Sequence, residues 1–140
     1  EHPEIINDNP KFNTQIFGIH HDREIIREKI TKRLKERLED GMVEEVETLL
    51  GKGISPEKLK SYGLEYKFIT QYILGEINKD DMFQKLNTAI HRFAKRQMTW
   101  FRRMERNGIK INWIDGNLSL LKKVNEIIKS LNLKESVYAK

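Results

Sequence analysis

Residues 90–108, IHRFAKRQMTWFRRMERNG, constrain the fold more than any other stretch of the chain. Stepped at about 100° per residue, the advance of an α-helix, their cations gather on one side. Arg92, Lys95, Arg96, Arg102, Arg103 and Arg106 fall within an arc of roughly 120°, and Thr99 lies among them. Ile90, Phe93, Ala94, Met98, Trp100, Phe101 and Met104 take the other side, where Gln97 is the polar exception. No acidic residue interrupts the row before Glu105. Such a helix packs one flank on a core and holds a row of cations in water, at a spacing suited to phosphates. The same pattern describes the solvated basic face of a structural helix, and charge alone leaves both readings open.

The bulk of the chain agrees with a helical protein built around that stretch. At 140 residues, 38% hydrophobic and 34% charged, it has room for one domain or part of a larger one, soluble and helix-rich. No run approaches the ~18 apolar residues of a membrane-spanning helix. The net charge of +5 favours an anionic partner such as nucleic acid. Cysteine is absent, which excludes disulfides, thiolate metal sites and a Cys nucleophile, and fits a cytoplasmic protein. The first residue is Glu1 rather than Met, as expected of a processed product or a cut piece.

Residues 1–13 are polar, carry Pro3 and Pro10, and read as an irregular lead-in. Residues 14–19, TQIFGI, predict a short buried strand. Asp22 is placed to cap a helix over residues 23–39, in which Ile26, Ile30, Leu34 and Leu38 recur every four residues. Gly41 stops it, and residues 42–50 predict a second helix with Val43, Val46, Leu49 and Leu50 inward. Glu44, Glu45 and Glu47 stand in its early turns, where the helix dipole favours anions. Pro56 fits the first turn of a short helix, and a further one runs to Leu74 before Gly75 ends it. Asn78 with Asp81 makes a capping-box-like start for the long helix through residue 90. Residues 109–115 alternate apolar and polar, the period of a half-buried strand and the natural companion of the first. A last helix spans residues 119–131, and residues 134–140 read as a frayed tail. His20 and His21 diverge on any regular backbone, so they do not suggest a metal site.

Residues 93–103, FAKRQMTWFRR, closely resemble the "YAKRQxTWFR" signature of tRNA dimethylallyltransferases, also called tRNA isopentenyltransferases. Looser similarity runs through residues 23–50, through Tyr66-Lys67 (the family's "GYK") and through Trp113-Ile114-Asp115 (its "WID"). Two positions depart: Glu65 stands where the family has Gly, and Ile90 where it commonly has Thr, with Thr88 two positions off. A carboxylate at 65 would repel a phosphate that Gly admits.

The resemblance implies an enzyme that moves a dimethylallyl group from its diphosphate to the exocyclic amine of the adenosine beside a tRNA anticodon. It implies a mainly α fold: a helical region with two short strands, over residues 14–133. This is the C-terminal part of a P-loop-type α/β transferase lacking the P-loop half, since no G-x-x-x-x-G-K-[ST] loop occurs. The catalytic acid belongs to the missing half too, so no catalytic residue is expected in this chain, and the chain alone should be inactive. Mg²⁺ is implied for the whole enzyme and for none of this chain's own residues. The implied partners are a tRNA anticodon stem-loop and, through the missing half, dimethylallyl diphosphate. Strands without their parent sheet would pair their edges with each other or dimerise.

Arg23 matches the family arginine that reaches the diphosphate, although a surface ion pair with Asp22 or Glu24 explains a single Arg as well. Tyr66, Lys67, Lys95, Arg96, Gln97, Thr99, Trp100 and Arg102 are the implied tRNA-binding residues. Lys95, Arg96 and Arg102 are expected to contact the backbone, and Arg92, Arg103 and Arg106 to steer. Read physically, Trp100 packs on the core, Thr99 donates to a phosphate, and Gln97 bonds a neighbouring backbone group. Tyr62 and Tyr66 have an alternative role, core packing with a satisfied hydroxyl. A non-enzymatic helical RNA-binding module and a helical protein-interaction domain are the competing functions.

Overall fold

The computed structural model describes residues 14–131, which divide into a helical unit, His21–Arg106, and a smaller unit carrying both strands. The expected lead-in at residues 1–13 and tail at residues 134–140 lie outside the described residues.

In chain order the elements are β1 (Ile16–His20), α1 (Arg23–Glu39), α2 (Met42–Gly51), α3 (Pro56–Ser61), α4 (Leu64–Ile73), α5 (Lys79–Arg106), β2 (Ile111–Asp115) and α6 (Leu120–Ser130). The helical unit closes on one cluster to which all five of its helices contribute: Leu34, Met42, Val46, Leu59, Ile69, Met82 and Leu86. Leu59, Val46, Ile69, Met82 and Leu86 are wholly excluded from water. Gly41 adopts φ 90°, a left-handed conformation that a β-carbon would strain, and so breaks the chain between α1 and α2. Ser55 accepts a hydrogen bond from the Lys58 amide at 3.3 Å, with Pro56 opening α3 as expected. At the head of α5 the Asn78 side-chain oxygen accepts from the Asp81 amide at 2.8 Å. Thr31 ties α1 to α5, donating to Asn87 Oδ1 at 3.1 Å and lying 3.3 Å from His91 Nε2. Asp22 occupies the expected cap position of α1, but its side chain makes no capping bond.

In the smaller unit, β1 and β2 pair in parallel, with Ile16 opposite Ile111 and His20 opposite Asp115. Both strands begin two residues later than the sequence patterning suggests. Gly18 is needed here, because a β-carbon on it would stand 2.5 Å from the Trp113 ring. The expectation of a half-buried second strand needs correction. Ile111 and Ile114 are both buried, and their odd separation puts them on opposite faces, so β2 is covered on each side. Ser119 caps α6 through the Lys122 amide, and Lys123 Nζ donates to the Gly116 carbonyl at 2.7 Å. Leu120, Leu121 and Val124 on that helix remain exposed.

Candidate nucleic-acid interface

α5 is unbroken over its 28 residues, so its wheel geometry holds throughout. Arg92, Lys95, Arg96, Arg102, Arg103 and Arg106 are all exposed along its outer part. Among the described residues the ion pairs are Lys32–Glu36 and Lys60–Glu76, and none involves these six. Among the described residues their charge therefore faces solvent outside those ion pairs, a condition for attracting an extended polyanion.

The opposite flank departs from expectation. Its half-buried residues are Ala94, Met98, Phe101 and Met104, a stripe narrower than the apolar half of the wheel. Trp100 does not pack on the core: it is 60% exposed, and Phe93 is 49% exposed. Both lie at the edge of that stripe nearest the cationic arc, about 20–40° round the helix from Met104. Gln97, expected to bond a backbone group, is exposed and has no such bond among the described residues. Thr99 Oγ1 donates to the Lys95 carbonyl at 3.1 Å, so its hydroxyl hydrogen is already engaged.

Nearer the core, α4 and α5 enclose an open cleft of about 470 Å³. Lys67, Lys85, Arg92 and Arg96 bring four cations to it, Gln84 and Thr88 add neutral polar groups, and Leu64, Phe68 and Ala89 supply apolar surface. Lys67 Nζ lies 5.7 Å from the centre of the Phe68 ring. The cleft joins two expected residues from different motifs, Lys67 and Arg96. It also includes Arg92, which the sequence assigns to steering, and Lys85, which sequence reasoning missed. The signal for Lys85 was available: stepping back along α5 at about 100° per residue puts it within the cationic arc. The wall opposite, from α4, is tertiary and has no such signature.

Tyr66 is turned away to another task. Its hydroxyl donates to Glu45 Oε1 at 2.6 Å, and Tyr62 meets its ring edge-on with centroids 6.0 Å apart. That bond to a carboxylate, reinforced by burial and by the charge of Glu45, holds the phenol above its ordinary value of 10.0. The alternative of packing with a satisfied hydroxyl therefore describes Tyr66, whereas Tyr62 is 53% exposed. Glu65 falls in the first turn of α4 and does not line the cleft. Arg23 is the first residue of α1, exposed, and pairs with neither Asp22 nor Glu24. It lies outside the cleft. His20 contacts Trp113 edge-on, and His21 Nε2 lies 3.3 Å from Lys29 Nζ. Among the described residues no group of three or more His, Cys, Asp or Glu side chains is arranged to hold a metal ion.

Residues 1–104 match the sequence profile of the IPP transferase family. The tRNA dimethylallyltransferase 2 of Bacteroides fragilis is 56% identical over 122 residues, covering 87% of this chain and 40% of that protein. The tRNA dimethylallyltransferase 1 of Parabacteroides distasonis is 53% identical over 130 residues, covering 93% of this chain and 42% of that one. The chain thus spans about 40% of the length of these curated relatives. Among solved structures, the tRNA delta(2)-isopentenylpyrophosphate transferase of Staphylococcus epidermidis superposes with a TM-score of 0.75 at 28% identity, covering 87% of this chain and 38% of that one. The full-length tRNA isopentenylpyrophosphate transferase of Bacillus halodurans gives 0.74 at 26% identity, with 90% and 40% covered. The mainly helical architecture with two parallel strands is shared with these enzymes, and the chain belongs to the IPP transferase family.

Proposed function

We propose that this chain is the C-terminal, tRNA-holding portion of an enzyme that prenylates the adenosine next to the anticodon. In that reaction the carbon–oxygen bond between the dimethylallyl group and its diphosphate breaks. A new bond forms to the exocyclic amine, which gives up a proton, and diphosphate leaves. The target adenine is stacked inside a folded loop, so it must leave the stack before its amine can react. The chain's share of the work is to hold the stem-loop while the remainder of the enzyme does the chemistry. The observation that carries this reading is the row of six exposed cations on α5, in none of the ion pairs among the described residues, within a stretch that resembles the family signature.

Lys95, Arg96 and Arg102 contact the RNA backbone, Lys67 joins Arg96 from α4, and Gln97, Thr99 and Trp100 accompany them on the exposed helix. The structural role found for Tyr66 makes it a supporting residue for α4 rather than a direct contact. Arg23 reaches toward the diphosphate supplied with the rest of the enzyme. No helix among the described residues is long and apolar enough to cross a membrane, and a cytoplasmic site of action follows from a tRNA substrate.

Binding of an anticodon stem-loop across a salt series tests the proposal. Log K against log salt should fall with a slope of about −0.7 to −0.9 per neutralised phosphate. Replacing Lys95, Arg96 and Arg102 together by Gln should flatten that slope by about 2–3. An unchanged slope in the triple variant overturns the assignment. The 140-residue chain alone should transfer no dimethylallyl group to tRNA, and detectable transfer would refute its role as a holding portion.

A further inference from the structure

The cationic face of α5 does not begin at Arg92. Thr88 and Lys85 fall within the same arc one and two turns earlier, both exposed and both lining the cleft. From Lys85 to Arg106 this face extends about 30 Å at the helical rise of 1.5 Å per residue. At the cleft α4 stands opposite it and adds Lys67, Leu64 and Phe68. The difference matters for an anion. Along a bare helix face each cation approaches a phosphate from one side, whereas a phosphate seated in the cleft has ammonium and guanidinium donors on two sides.

Three further features narrow the occupant. No carboxylate lines the cleft, and among the described residues none of its four cations is in an ion pair. Gln84 and Thr88 supply neutral hydrogen-bonding groups suited to a sugar hydroxyl or a phosphate oxygen. Leu64, Phe68 and Ala89 offer apolar surface to whatever flat unit the phosphate carries. The volume of about 470 Å³ suits a nucleotide-sized group, far more than a bare phosphate needs.

We infer that the α4–α5 cleft grips one phosphodiester of the bound RNA together with its adjoining nucleoside, with Lys85 and Arg92 docking it alongside Lys67 and Arg96. This anchor is additional to the outer row and rests on the RNA-binding reading. Lys85, Gln84 and Thr88 thereby join the interface, and Arg92 moves from steering to contact. The occupant is a strand of bound RNA rather than a free nucleotide or inorganic phosphate, because the cleft opens directly onto the cationic row that continues along α5.

The test compares two double variants of the intact protein, Lys85→Gln with Arg92→Gln in the cleft and Lys95→Gln with Arg102→Gln on the outer row. Each pair should flatten the salt slope for stem-loop binding by about 2, roughly one per cation removed. A flattened slope in the outer pair but not in the cleft pair overturns the inference and leaves the RNA-binding reading standing. If neither slope changes, that reading falls and the inference falls with it. A second measurement needs no variant: acylation of Lys67 and Lys85 should slow several-fold when stem-loop RNA is bound. Equal protection by millimolar AMP or inorganic phosphate would assign the cleft to a small phosphate and overturn the inference.

Discussion

Along one continuous helix, the two parts of α5 obey different constraints. Residues 79–90 bury Met82 and Leu86 completely, with Phe83 and Ile90 packed beside them in the core of the helical unit. Residues 91–106 bury no side chain fully and carry six cations in a row. Exclusion of water holds the inner part in place. The outer part half-buries only the stripe of Ala94, Met98, Phe101 and Met104, and leans more on its own backbone ladder, extended from a nucleus already formed. Its six cationic side chains, all exposed, carry no packing demand and can answer to a ligand instead. A single helix can thus belong to the core at one end and to an interface at the other, and mutations at the two ends should be read by different measurements.

The largest effect is expected at the inner end. Leu86→Ala should cost about 2–5 kcal/mol of unfolding free energy, from lost burial and the cavity left behind. Denaturant titration measures it, and the salt slope of RNA binding should not move while the chain stays folded. A loss under about 1 kcal/mol would mean that the inner part is not held by packing. The outer triple variant of Lys95, Arg96 and Arg102 should behave oppositely: unfolding free energy within about 0.5 kcal/mol of the parent, as for exposed residues outside any network, with the slope flattened.

A smaller effect separates packing from binding at Tyr66. Tyr66→Phe removes the bond to Glu45 and should cost about 1 kcal/mol at neutral pH, with little change in RNA affinity. The phenol is raised above 10.0 in the folded state, so its contribution is complete below pH 10 and is lost as pH climbs through the folded value. The stability gap between parent and variant should therefore narrow above pH 10. A constant gap to higher pH would show that the hydroxyl is not bonded to Glu45.

Local signals in the sequence foretold local structure well. Gly41, Pro56, Gly75 and the Asn78–Asp81 pair mark helix ends because capping and left-handed turns involve residues close in sequence. The cationic row was legible for the same reason, being a property of one helix. What failed depended on neighbours distant in sequence. Nothing near residue 85 announces that Lys67 will stand across from it, and nothing in the alternation of residues 109–115 tells that both faces of β2 are covered. Side-chain polarity was a poor guide to burial at three positions. Thr70 is fully buried on α4, its Oγ1 without a partner among the described residues, whereas Trp100 and Phe93 stand in the open.

Trp100 gives the smallest and sharpest test of the comparison. A tryptophan packed in the core costs about 3–5 kcal/mol when cut to Ala, because its large ring leaves a cavity. At 60% exposure the ring of Trp100 has little cover to lose, and replacing it leaves no enclosed void. Its position on a helix also favours Ala slightly, since Ala loses no side-chain freedom there. Trp100→Ala in this chain should therefore shift unfolding by under about 0.5 kcal/mol. Its effect on stem-loop affinity should exceed that, because an exposed indole beside Arg96 and Arg103 is placed to stack on a base or shield a phosphate contact. A stability loss of several kcal/mol with unchanged affinity would return Trp100 to the core, and the outer part of α5 would then be a packed element like the inner one.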